Sequence, residues 1–141
     1  MAEPASEYPY LLPLPDGDTQ PWWDGIRRHE LLLQQCAQCQ TFRHPPQGTC
    51  PKCYSERVEW VRVSGRGTVY TYIVVYHPVV PQWQESAPYN VAQVAPEEAP
   101  HIRIYGNVIN IDDEDIRVGM PVEIVFDDVT PENTIPRWQP R

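Results

Sequence analysis

Every cysteine of the chain falls in one short stretch, Cys36 to Cys53, reading CAQCQTFRHPPQGTCPKC. The four form two Cys-x-x-Cys pairs, Cys36/Cys39 and Cys50/Cys53, with ten residues between them. Two residues between cysteines let one tight turn aim both sulfurs at a single ion, and a second such turn supplies the other corners of a tetrahedron. Pro45-Pro46 stiffen the loop between the pairs, Gly48 gives it a flexible corner, and Pro51 sits inside the second turn, where no ladder donor is needed. The pattern predicts a structural zinc ribbon with Cys36, Cys39, Cys50 and Cys53 as ligands. A pair of disulfides, a redox-active pair or a one-iron rubredoxin-like centre would use the same sulfurs and stays open at this level. Glycine usually follows the second cysteine of a knuckle, where a positive φ is wanted, but Gln40 and Tyr54 stand there. His44 lies inside the stretch and is read as a loop residue, because four sulfurs already fill the shell. Such a closed shell lacks the open position that catalytic zinc keeps for water.

At 141 residues the chain makes one modest domain or two very small ones. No run approaches the ~20 apolar residues that cross a bilayer, so no membrane partner is expected. The opening MAEPASEYPY lacks the basic and apolar regions of a signal peptide, which predicts a cytoplasmic protein whose thiols stay reduced. Eleven basic against 19 acidic residues give a net charge of −8, and a tetrathiolate zinc centre adds about two negative charges more. That sign speaks against a polyphosphate backbone as partner, although zinc ribbons and small barrels often bind nucleic acid.

Along residues 1–18, Pro4, Pro9, Pro13 and Pro15 alternate with Tyr8, Tyr10, Leu11, Leu12 and Leu14, which predicts an extended arm lying on its own domain or on a partner. A short helix is predicted from Thr19, capped by Asp18 or Thr19, with Pro21 in its first turn and Trp22, Trp23 and Ile26 on one side. Arg27, Arg28 and His29 suit its C-terminal end. Leu31 to Leu33 lead into the ribbon as a strand.

Beyond the ribbon the period changes to two. Strands are predicted at Val58 to Val63, Thr68 to Tyr76, Tyr89 to Ala95, His101 to Tyr105, Asn107 to Ile111 and Val122 to Phe126. In the second of these, Val69, Thr71, Ile73 and Val75 would share one face and Tyr70, Tyr72, Val74 and Tyr76 the other. His77 to Pro88 reads as a long exposed loop, Asp112 to Asp115 as a solvated turn, and Thr130 to Arg141 as a Pro-rich tail. The fold class is therefore mainly β, a small Greek-key barrel of the OB type behind a four-cysteine ribbon. Boundaries are expected at 1–33 for arm and helix, 34–57 for the ribbon, 58–128 for the barrel and 129–141 for the tail.

No catalytic constellation is visible. A Gly-x-Ser-x-Gly elbow is absent, and Ser64-Gly65-Arg66-Gly67-Thr68 links two strands instead of opening a helix, so it lacks the context of a phosphate loop. His77 and His101 have no partner that spacing assigns. The acidic run Asp112 to Asp115 lacks the alternation of a calcium loop. By contrast the arm, the tryptophan helix, the 77–88 loop and the tail carry more aromatic surface than a chain of this size buries, as interface anchors do. Arg66, His77, Trp83, Tyr89, Trp22, Trp23 and Trp138 are the candidate contacts.

From Pro21 to Phe126 the chain resembles the family called domain of unknown function thirty-five, acyl-CoA-associated OB-fold proteins with an N-terminal rubredoxin-like zinc ribbon. The resemblance rests on Trp22-Trp23-Asp24-Gly25, the approach from Leu31 to Cys36, the two cysteine pairs with Pro45-Pro46 between them, and Gly65-Arg66-Gly67-Thr68-Val69. Ala87-Pro88-Tyr89 and Ile116-Arg117-Val118-Gly119-Met120-Pro121-Val122 complete it. It implies an accessory subunit, without catalytic residues of its own, that assembles as a hetero-oligomer, in the form of a heterotetramer, with a thiolase-like aldolase of the lipid-transfer-protein type. Structural Zn2+ and an acyl-CoA held by the complex would be its cofactor and ligand, and steroid side-chain degradation its setting. Relatives that serve acetoacetyl-CoA thiolase with hydroxymethylglutaryl-CoA synthase, or aromatic polyketide acyltransferases, give the alternative, and a nucleic-acid-binding zinc-ribbon protein a more distant one. Other relatives carry the same domain fused to a hydratase, so this chain is a free-standing version or an excised domain.

Overall fold

The computed structural model describes residues 8–141; the start of the expected arm, with Pro4, lies outside the described residues. Helix α1 spans Gln20–Arg27, with Pro21 in its first turn and Trp22, Gly25 and Ile26 buried. Thr19 is its N-cap but makes no side-chain cap bond. Instead the Asp16 carboxylate accepts the N–H groups of Asp18 and Thr19, 3.0 and 2.9 Å away, and so fixes the turn that launches the helix.

Two antiparallel sheets follow. Strands β1 (Leu32–Cys36), β2 (Phe42–Arg43) and β3 (Val58–Arg62) form the ribbon sheet in the order β2-β1-β3. Strands β4 (Arg66–Val75), β5 (Tyr89–Pro96), β6 (Ile104–Gly106), β7 (Pro121–Thr130) and β8 (Asn133–Pro140) form the second sheet in the order β6-β5-β4-β7-β8. A parallel bridge from Val108 to Trp138 joins the two ends of that order and closes the five strands into an OB-type barrel. The expected strand over Asn107 to Ile111 is therefore a single bridging residue and its neighbours. The acidic run makes one 3-10 turn at Asp113–Asp115.

Val69, Val94, Ile104, Ile116, Val122 and Trp138 fill the barrel, while Ile26, Leu31 and Leu33 extend the same core under the helix and ribbon. His101 donates a ring N–H to the Phe42 carbonyl at 3.1 Å, which ties the barrel to the ribbon sheet.

Three expectations are corrected. The tail is a strand: Thr134, Pro136 and Trp138 alternate inward along β8, and Trp138 is completely buried. Its prolines hide the period-two pattern, yet they are tolerated because β8 pairs continuously with β7 alone and meets the other end of the sheet only at the Val108 bridge. The 77–88 loop contains one helical turn, α2 (Pro81–Gln84). In β4 the register shifts between Val69 and Thr71, a bulge that exchanges the two faces. Val69 is 1% exposed and Ile73 is 61% exposed, although both occupy odd positions.

His29, at φ 60°, ends the helix connection, stacks on Phe126 with ring centroids 5.1 Å apart, and places its Nε2 2.9 Å from Asp128 of β7. The Thr134 hydroxyl and then His29 hold the Asp128 carboxyl below its ordinary value. A depressed carboxylate contributes stability that is fully present above the unfolded value of about 3.9 and is lost as pH falls through the folded one. Asp128→Asn should therefore melt below the parent at about pH 6, with the difference closing toward about pH 3; thermal melts across that range check it.

Candidate metal centre

Each Cys-x-x-Cys pair is a backbone knuckle. In the first, the Gln40 N–H donates to the Cys36 carbonyl, and in the second the Tyr54 N–H donates to the Cys50 carbonyl, both at 2.9 Å. Further amides point at sulfur, Cys39 N–H at the Cys36 Sγ (3.5 Å) and Lys52 N–H at the Cys50 Sγ (3.4 Å). Gln40 and Tyr54 adopt φ of 62° and 63°. The left-handed corner that glycine usually supplies is thus made by two ordinary residues, at about 1–2 kcal/mol each, and the knuckles keep their shape.

All four sulfurs lie within 4.8 Å of one another. Between the knuckles, Cys36 lies 3.5 Å from Cys53 and Cys39 lies 3.6 Å from Cys50, sulfur to sulfur. Zinc–sulfur bonds of about 2.3 Å imply tetrahedral edges of roughly 3.8 Å, so the donor set fits a zinc ion without rearrangement. A disulfide needs about 2.05 Å, and all four cysteines are free, which removes the paired-disulfide alternative.

The thiols also respond as a set. The Cys39 N–H lowers the Cys36 thiol to about 6. Hydrogen bonding with Thr41, whose hydroxyl is 3.1 Å from the sulfur, lowers Cys39. The Ser55 N–H pulls Cys53 the same way, but burial and the three neighbouring sulfurs push it up to about 11. Some thiolate forms readily here, while gathering all four calls for a cation among them.

The loop between the knuckles is held by two buried polar residues that the sequence does not single out. Arg43 donates through Nε and Nη2 to the Gln47 carbonyl, and Gln34 accepts the Gln47 N–H. His44 stands outside the sulfur cluster. Its ring lies 5.5 Å from that of Trp22, and burial pushes its pKa down to about 4.

The candidate contacts fall into separate groups. Trp22 is only 6% exposed and packs edge-on against Trp23 at 4.7 Å, so the helix docks on its own ribbon and barrel. Together with Pro45, Pro46, Tyr105 and Ile135 these tryptophans wall an apolar cleft of about 410 Å3. Trp83 stacks on Tyr10 at 4.3 Å and leans on Tyr89 at 5.5 Å, while the Tyr10 hydroxyl meets that of Ser86. Tyr10 of the arm accordingly lies on its own chain, while Leu11 and Leu14 stay exposed. Arg66 is exposed at the start of β4 opposite Glu123, and His77 is exposed in the loop. Trp138 belongs to the core instead of the surface, because closure of the barrel requires its side chain inside. Asn90 was not legible in the sequence: its buried amide donates to the Val108 carbonyl and Asp113 and accepts the Val108 N–H, pinning the bridge segment to β5.

No helix among the described residues is long and apolar enough to cross a membrane. Residues 23–59 match the ChsH2 rubredoxin-like zinc ribbon domain, and residues 60–127 match the ChsH2 C-terminal OB-fold domain. A DUF35 domain-containing scaffold protein of Methanocaldococcus jannaschii is 38% identical over 106 residues, 74% of this chain and 73% of that protein. The 3-oxo-4,17-pregnadiene-20-carboxyl-CoA hydratase alpha subunit of Mycobacterium tuberculosis is 34% identical over 130 residues, 92% of this chain and 40% of that subunit. A probable enoyl-CoA hydratase alpha subunit of Thermomonospora curvata is 38% identical over 119 residues, 84% of this chain and 36% of that subunit. The chain thus spans well under half the length of these hydratase subunits. Among solved structures, the Ltp2-ChsH2(DUF35) aldolase matches with a TM-score of 0.82 and 37% identity, over 91% of this chain and 98% of that one. A DUF35 protein of unknown function from Sulfolobus solfataricus, 12% identical over 89% of this chain and 86% of that one with a TM-score of 0.62, shares the fold alone. With a matching ribbon, a matching barrel and a relative aligned over most of both lengths, the chain belongs to the DUF35 family of ChsH2-type zinc-ribbon and OB-fold proteins.

Proposed function

We propose that the chain is a non-catalytic accessory subunit of a thiolase-like aldolase acting on acyl-CoA thioesters, in steroid side-chain degradation. The observation that carries this reading is the 37% identity to a chain of the Ltp2-ChsH2(DUF35) aldolase, with 98% of that chain covered. The hydratase alpha subunits support the same substrate class. Hydration of an enoyl-CoA sets a hydroxyl β to the thioester, and a retro-aldol reaction cleaves between the α and β carbons of such a product. The two are consecutive chemistries on one acyl-CoA.

In this reading Cys36, Cys39, Cys50 and Cys53 hold Zn2+, which cross-links the end of β1 to the second knuckle and offsets the thiolate charge. The closed shell makes the ion structural. Helix α1 and the ribbon then pack on the barrel as one preformed surface, so little ordering free energy is lost on assembly. Acyl-CoA and partner contacts come from Arg66, His77, Trp83, Tyr89 and Trp23, with Trp22 fixing the wall behind them. Mixing the purified chain with a thiolase-like aldolase subunit from the same genome, and assaying cleavage of a β-hydroxyacyl-CoA, tests the proposal. The family resemblance carries a second reading, service to another thiolase-type acyltransferase; activity on acetoacetyl-CoA instead of a steroid thioester would select it.

A further inference from the structure

We propose that the open edge of β4, from Tyr70 to Tyr76, receives an extended strand of the partner subunit; this rests on the reading above that such a partner exists. β4 pairs with β7 only through Arg66, Gly67 and Thr68, after which Val69 exchanges backbone hydrogen bonds with Gly119 and Met120. From Thr71 to Val75 it pairs with β5 alone, and among the described residues no backbone group bonds to its other edge there. Antiparallel strands turn their N–H and C=O groups alternately to the two sides, so this edge is a row of unpaired donors and acceptors. Natural edges are guarded by charge, proline or a covering element. The stretch YTYIVVY has no charge, no proline and no glycine, and consists of strong strand formers.

The surface beside the edge matches it. Tyr70, Ile73 and Tyr76 are between 52% and 65% exposed, and the same outward face carries Tyr105, 64% exposed, beyond β5 on β6. By register Ile73 stands opposite Val91, and Val75 opposite Tyr89. Among the described residues no acidic side chain lies on this outward row, although acidic residues outnumber basic ones by eight in the whole chain. Its one charge is Arg103, whose guanidinium sits 3.6 Å from the centroid of the Tyr70 ring. A second copy of the chain would bring the same cation and the same net charge of −8, so self-pairing meets like charge at both levels. The fitting occupant is a segment of a different chain, with apolar residues at alternate positions and a carboxylate at the Tyr70 end to meet Arg103. Strand addition of this kind draws affinity from the backbone and register from the side chains.

Hydrogen exchange on the complex with the thiolase-like aldolase subunit from the same genome decides the matter. Alternate amides between Tyr70 and Tyr76 should slow by at least about tenfold relative to the free chain. Ile73→Lys should weaken the complex about tenfold while leaving the melting of the free chain unchanged, and Arg103→Glu, which also gives up the bonds to the Pro100 and Ile102 carbonyls, should weaken it about tenfold in a chain that still melts cooperatively. A complex that forms with exchange over 70–76 unaltered, or with both variants binding as the parent does, overturns the edge assignment and leaves the accessory-subunit reading standing. Failure of the unmodified chain to form any complex overturns that reading and the edge assignment with it.

Discussion

Replacing Cys36 with serine is expected to empty the metal centre and unfold the ribbon. Cys36 is the hinge of the whole N-terminal half. It ends β1, which pairs with both other ribbon strands, and its sulfur lies 3.5 Å from Cys53 of the second knuckle. Structural zinc is worth on the order of 10 kcal/mol of folding free energy in small modules, and three remaining thiolates cannot hold the same tetrahedron. Zinc content should fall from about one ion per chain to a small fraction of that. The ribbon amides should lose protection, and the melt should shift or split, because Leu31 and Leu33 leave the shared core with β1. The barrel strands from β4 to β8 are joined by their own ladders and should keep their β signal. Metal analysis together with far-ultraviolet melting measures both effects. Unchanged zinc and unchanged melting would sink the tetrahedral assignment.

Truncating Trp138 to alanine should destabilise the barrel about as severely as any single apolar change can, by roughly 3–5 kcal/mol. Its ring is completely buried, and its backbone closes the barrel, donating to the Asn107 carbonyl at 2.9 Å and accepting from Ile109 at 2.7 Å. The indole N–H has no partner among the described residues, so the ring is held by shape and volume. Gly106 leaves room for it: a Cβ there would come within 2.8 Å of the indole. A drop of about 10–20 °C in melting temperature is expected for a domain of this size. Ending the chain after Thr130, harmless if the last residues were a tail, should prevent the barrel from closing at all. A soluble, normally melting truncation would contradict the β8 assignment.

The ribbon was legible because cysteine spacing is a local signal: two residues between thiols dictate a knuckle whatever surrounds it. The barrel class was legible from period-two runs such as that of β5, where Asn90, Ala92, Val94 and Pro96 all point inward. What escaped the sequence depends on contacts between distant segments. The bulge after Val69 exchanges the faces of β4 without any glycine or proline to announce it. Pro136 and Pro140 disguised β8, since proline argues against a strand unless one edge is known to be largely free. Trp138 illustrates the same limit for the contacts. A tryptophan between prolines looks like a surface anchor until the Val108 bridge shows that it completes the core. Gln40 and Tyr54 show the reverse case, in which the knuckle geometry overrides the residues' own backbone preference.

The proposed role makes its sharpest demand on reconstitution. The chain alone, the thiolase-like aldolase subunit alone and an equimolar mixture are each given a β-hydroxyacyl-CoA with a steroid side chain, and release of the shortened ketone and the acyl-CoA fragment is followed. Cleavage in the mixture alone, together with comigration of the two chains on size exclusion, is the expected result. Turnover by the chain without a companion, or full turnover by the companion without the chain, would contradict it.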